Sequence, residues 1–75
     1  MGLTVESLVR IASAGGGLII DCKGYTVPSL ERIAAASSSG EAKVIFTNTI
    51  GYSIDSLVRI SAAGNGNVII DTRST

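Results

Sequence analysis

The sequence predicts an α/β fold. It consists of three tandem helix–strand repeats in two layers, with a three-stranded parallel sheet in order 1-2-3 and the helices on one face. Three observations predict it. The first is repetition: Leu3–Lys23, LTVESLVRIASAGGGLIIDCK, returns as Tyr52–Arg73, YSIDSLVRISAAGNGNVIIDTR. A looser copy, YTVPSLERIAAASSSGEAKVIFTN, fills Tyr25–Asn48. The second is that each copy changes period. An apolar pattern at helical spacing gives way to a short β-branched run. The third is spacing. The copies open at Leu3, Tyr25 and Tyr52, 22 and 27 residues apart, which is the range of stacked repeat units. A strand–helix–strand connection joins parallel strands and is right-handed. The 75 residues therefore form one domain with copies at about 3–24, 25–51 and 52–75.

Copy one opens on Thr4, whose hydroxyl suits a helix N-cap. Val5, Leu8, Ile11 and Ala12 then share one face. Glu6 and Arg10 lie four apart in the favourable acid-first order, which predicts a pair along the helix. Gly15-Gly16-Gly17 supplies the left-handed conformation that ends a helix. Leu18–Cys22 is too short for a helix and reads as a strand.

Copy two repeats this plan. Thr26 is the N-cap, and Pro28 falls in the first turn, where its missing N–H costs nothing. Val27, Leu30, Ile33 and Ala34 form the inward face. Ser37–Glu41 reads as a loop, and Lys43 to Thr47 or Asn48 as the strand. In copy three Ser53 is the N-cap, and Ile54, Leu57, Ile60 and Ser61 point inward. Asp55 and Arg59 repeat the Glu6–Arg10 spacing. Gly64-Asn65-Gly66 stops the helix, and Asn67–Thr72 is the strand.

The first helix, Leu3-Thr4-Val5-Glu6-Ser7-Leu8-Val9-Arg10-Ile11-Ala12, resembles the leucine-rich-repeat superfamily, in variants with a T-x-E-S-L-x-x-I-A helix. The resemblance spans nearly the whole chain. That family's strands carry a leucine ladder and an asparagine ladder. Here the strands are Leu18-Ile19-Ile20-Asp21, Val44-Ile45-Phe46-Thr47 and Val68-Ile69-Ile70-Asp71, with Asn48 at the place of the asparagine. The resemblance implies a solenoid-like, protein-binding scaffold.

Strand side chains alternate between faces. Leu18, Ile20 and Cys22, with Val44, Phe46, Val68 and Ile70, form the more apolar face and should meet the helices. The opposite face carries an Ile19, Ile45, Ile69 row, an Asp21, Thr47, Asp71 row, and a Lys23, Thr49, Arg73 row. Parallel sheets are usually covered on both faces, and here one stays open. Both sheet edges are open too. The Ile row reads as an interface core, and Asp21, Thr47, Asp71, Lys23 and Arg73 as its rim. The expected function is protein–protein interaction or self-assembly, as a homo-oligomer. Contact would be face to face in a closed dimer, or edge to edge with the outer strands extending the sheet.

The alternative is a small-ligand or anion site at the carboxyl ends of the strands, formed by Lys23, Gly24, Tyr25, Thr26, Tyr52 and Ser53. Plain capping by Thr4, Thr26 and Ser53 accounts for the same residues. The glycine clusters are not phosphate loops, because they follow a helix and open a strand, the reverse of the required order. Asp21 and Asp71 are separated by the middle strand, roughly 10 Å at ~4.8 Å per strand. They read as rim residues paired with Lys23 and Arg73 rather than as an acid–base couple. Arg10, Arg32 and Arg59 share one repeat position, and a third reading makes this stripe a nucleic-acid contact. A solvated charged face accounts for it better. Cys22 falls in the inward register, so a buried small side chain is expected rather than a reactive thiol.

Composition narrows the classes. Six basic and six acidic residues cancel, so no net field draws the chain to nucleic acid or to an anionic membrane. The sequence has no His and a single Cys, so it lacks the commonest general base and the ligands of a cysteine zinc cluster. No enzyme, metal or cofactor is expected. The lone Cys suggests a cytoplasmic setting, and no apolar run approaches the ~20 residues of a membrane helix. A chain this short buries only about 60% of its unfolded surface, and self-association is a natural supplement.

Overall fold

A computed structural model describes residues 4–73. Leu3, the predicted start of copy one, and residues 74–75 of copy three lie outside the described residues. The element order is α1 Val5–Ser13, β1 Leu18–Asp21, α2 Val27–Gly40, β2 Val44–Thr47, α3 Ile54–Gly64 and β3 Val68–Ile70. The three strands form one sheet in the order β1-β2-β3, and both pairings are parallel. Leu18, Val44 and Val68 share one register row, and Ile19, Ile45 and Ile69 the next. The predicted α/β architecture is thus the observed one.

Each helix starts where its cap residue dictates. Thr4, Thr26 and Ser53 are extended at their own positions. Their side chains accept from the backbone N–H of Ser7, Ser29 and Ser56 and so satisfy one orphan donor per helix. The same serines place their hydroxyls 3.0 Å from the cap hydroxyls in all three copies. This makes a T/S-x-x-S cap that repeats with the fold.

The helices end differently from the prediction in copy two. Ser37–Gly40 continues α2 instead of forming a loop. The Ser37 hydroxyl donates to the Ala34 carbonyl at 2.6 Å, and Asn67 donates to the Ser37 carbonyl at 3.1 Å. A buried serine can stay helical when its hydroxyl bonds back along the helix. The extra turn also brings Gly40 against the end of α1. A Cβ there would lie 2.6 Å from the Ser13 carbonyl oxygen and would also collide with that of Ala12. The left-handed stop then falls on Glu41, at φ 58. In copies one and three it falls on Gly15 and Asn65. The strands are one or more residues shorter at their ends than predicted.

The core sits between the sheet and the helices, centred on copy two. Leu30, Ile33, Ala34 and Val44 are fully buried and Phe46 nearly so, with Ile20, Cys22, Leu8 and Ile60 around them. Burial in β2 alternates, with Val44 and Phe46 inward and Ile45 and Thr47 toward the other face. The predicted inward face of copy three is only partly buried. Ile60 is buried and Leu57 partly so, but Ile54 and Ser61 are exposed. On α1 and α2 the matching positions face the next helix, and among the described residues no helix lies on that side of α3.

Candidate functional site

The helix-free face of the sheet carries the predicted isoleucine row. Register brings Ile19, Ile45 and Ile69 side by side. Ile19 is 75% and Ile69 45% exposed, while Ile45, flanked on both sides, is half-buried.

The second row is brought together in part. Asp21 and Thr47 are register partners, and Asp71 follows directly after β3. Thr47 donates its hydroxyl to the Ile20 carbonyl at 3.3 Å, and Asn48 donates to the Asp21 carboxylate at 3.2 Å. The third row does not form as predicted. Asn48 turns the chain with φ 58, and Thr49 swings inward. It is buried and donates to the Asp71 carbonyl at 2.9 Å. Lys23 and Arg73 lie beyond the strand ends.

The two aspartates are held differently. Asp71 accepts from the Arg73 guanidinium at 2.9 and 3.0 Å and from the Arg73 backbone N–H at 3.0 Å. The guanidinium, then the backbone bond, keep the Asp71 carboxyl below its ordinary range. Asp21 instead accepts from the Lys23 backbone N–H at 3.0 Å. That bond and the one from Asn48 depress its pKa. The predicted Lys23 ion pair is therefore replaced by the Lys23 main chain.

At the carboxyl edge the anion-site candidates are occupied by the fold's own bonds. The hydroxyls of Thr26 and Ser53 cap their helices. The Tyr52 hydroxyl lies 2.7 Å from the Cys22 carbonyl and 2.6 Å from that of Tyr25, tying copy three to the junction of copies one and two. Burial raises its pKa. Gly24 turns the chain at φ 90, and the Tyr25 N–H bonds the Cys22 carbonyl. A shallow depression of about 360 Å³ remains, lined by Lys23, Asn48, Ile50, Gly51 and Tyr52. Cys22 is buried beneath this edge, and desolvation pushes its thiol up to about 11. A thiolate is disfavoured there.

The helix surface corrects another expectation. The predicted pairs along one helix, Glu6–Arg10 and Asp55–Arg59, do not form. Arg32 instead reaches back to Glu6 at 3.0 Å, and Arg59 reaches back to Glu31 at 3.1 Å. Each arginine bridges to the preceding helix, and so two members of the arginine stripe face acids. Sequence periodicity missed this because the partners are 26 and 28 residues apart. The available signal was the repeat itself, which stacks equivalent helices side by side.

A second apolar surface went unpredicted. Ile54 is 74% and Val58 58% exposed on the outer flank of α3. With Leu57, Ala62 and Ile70 they line an open groove of about 540 Å³ between α3 and β3. Among the described residues there is no cluster of three or more His, Cys, Asp or Glu side chains fit to hold a metal. No helix among them is long and apolar enough to cross a membrane. No known protein family, curated protein or solved structure matches the chain.

Proposed function

We propose that this protein is a non-enzymatic protein–protein interaction module that associates with copies of itself through its open sheet face or its edge strands. The observation that carries this reading is where apolar surface is left exposed. Ile19 and Ile69 stand out on the sheet face, and Ile54 and Val58 stand out on the last helix. These positions lie in regular elements, with charged residues beside them. That is the composition of an interface core and its rim. A small fold also gains from it, because the core of 75 residues is near the lower limit for independent stability. The likeness to leucine-rich-repeat scaffolds points the same way.

The test is the mass of the protein by light scattering over a concentration series. Mass should rise with concentration toward a multiple of 7.6 kDa. A chain that stays monomeric at every concentration would overturn the reading.

A further inference from the structure

The repeat gives each helix two faces, and the same two faces pack together twice within the chain. The forward face of α1 comprises Val5, Glu6, Leu8, Val9 and Ala12, and it receives α2. The backward face of α2 comprises Ser29, Arg32, Ile33 and Ala36. Ile33 is fully buried and Ala36 nearly so. The contact repeats between α2 and α3, where Ile60 takes the place of Ile33 and is equally buried. An arginine on the backward face bonds an acid on the forward face each time, Arg32 to Glu6 and Arg59 to Glu31.

Among the described residues two such faces have no mate, one on α1 and one on α3. The forward face of α3 offers Ile54, Leu57 and Val58, the counterparts of Val5, Leu8 and Val9. Leu8 is 5% exposed under α2, while Leu57 is only partly buried and the two residues flanking it stand open. The backward face of α1 offers Ser7, Arg10, Ile11 and Ala14, which line a groove of about 390 Å³. These ends are complementary, since each is a copy of a face that already has its mate. Their charges match as well. Asp55 on α3 occupies the position of Glu6, and Arg10 on α1 the position of Arg32. Among the described residues neither Arg10 nor Asp55 is ion-paired.

Resting on the self-association reading above, we infer that this protein adds end to end to further copies of itself. The backward face of α1 in one chain seats on the forward face of α3 in the next, with Arg10 against the neighbour's Asp55. The sheet runs on through the same junction. The outer edge of β3 pairs in parallel with β1 of the neighbour, and the internal register row of Leu18, Val44 and Val68 sets Val68 opposite the neighbour's Leu18. This removes both open edges inside the assembly. The contact is heterologous, so it produces rings or filaments rather than a closed two-fold dimer.

Charge reversal tests the junction. Arg10→Asp and Asp55→Arg should each raise the concentration for half-assembly by about two- to tenfold, the scale of an exposed ion pair turned repulsive. The double variant should return it to within about twofold of the wild type. At the position of Glu31, Val58→Lys should block assembly, while Val58→Glu, which gives Arg10 a second acid, should retain it. Ile45→Asp on the middle strand touches neither end and should leave assembly in place. Circular dichroism checks that each variant folds. A monomeric wild type would overturn both this inference and the self-association reading. Assembly that ignores both reversals, or a double variant no better than the singles, would overturn the end-to-end contact alone. So would assembly lost on Ile45→Asp and kept in the reversals, because the contact would then be the sheet face.

Discussion

Tyr52 connects the last copy to the junction of the first two through one hydroxyl. Its oxygen lies within hydrogen-bond reach of two main-chain carbonyls, those of Cys22 and Tyr25, beside a buried thiol. Removing the hydroxyl leaves a part-buried acceptor unpaired, which costs about 1–2 kcal/mol. Tyr52→Phe is therefore expected to lower Tm by about 4–16 °C in a chain of this size, as read by thermal melting at fixed protein concentration. Asp71 supplies a pH dependence. Its folded pKa lies below 3.8 because Arg73 and the backbone hold the carboxylate. The stability it contributes is present above the unfolded pKa and is lost as pH falls through the lower folded value. Asp71→Asn should thus show a lower urea midpoint than the wild type at pH 6. The gap should close as the pH is taken well below 3.8. A gap constant with pH would remove the carboxylate from the account.

At the scale of the element, the informative differences are at the helix ends. α1 and α3 stop on Gly15 and Asn65, residue types that tolerate positive φ, whereas α2 stops on Glu41. A side chain with a Cβ pays roughly 1–2 kcal/mol for the left-handed conformation. Glu41→Gly is expected to raise stability by about 1 kcal/mol, measured as an increase in urea midpoint without a change in slope. The extended α2 is itself a consequence of packing. Asn67 in copy three satisfies the carbonyl of Ser37, and Gly40 lets α2 lie against the last turn of α1. The ion pairs between helices lie at the surface, with side-chain accessibilities of 57% and 69% for Arg32 and Glu6 and 65% and 26% for Arg59 and Glu31. They therefore set alignment more than stability.

For the whole molecule the governing fact is that an array of three units has a centre and two ends. Copy two is covered on both sides and supplies Leu30, Ile33, Val44 and Phe46 to the core. Copies one and three are each covered on one side. Binding that favours the folded chain stabilises it by mass action. The wild type should accordingly show a Tm that rises with protein concentration, measured by scanning calorimetry over a hundredfold range. Arg10→Asp should flatten that rise. A Tm independent of concentration in the wild type would count against assembly at any surface.

Much of this architecture was determined by the sequence alone. Caps at Thr4, Thr26 and Ser53, apolar positions at helical spacing and three β-branched runs are local signals, and their threefold recurrence carried strand order and register with it. The rows Ile19, Ile45, Ile69 and Asp21, Thr47 were legible for the same reason. Other features depended on residues far apart in the chain, and only the tertiary structure decided them. Arg59 bonds Glu31 on the neighbouring helix rather than Asp55 one turn away, and Arg32, which has Pro28 at that position, bonds Glu6 on the helix before it. Thr49 turned inward because Asn48 broke the strand and the Asp71 carbonyl offered an acceptor. Ser37 stayed helical because the Ala34 carbonyl accepted a bond from its hydroxyl and Asn67 bonded its carbonyl, and the helix ran on through Ser39. The exposure of Ile54 and Val58 belongs here as well. The repeat pattern marks Ile54 as inward, and only the three-dimensional structure shows that among the described residues no helix lies over this flank of α3.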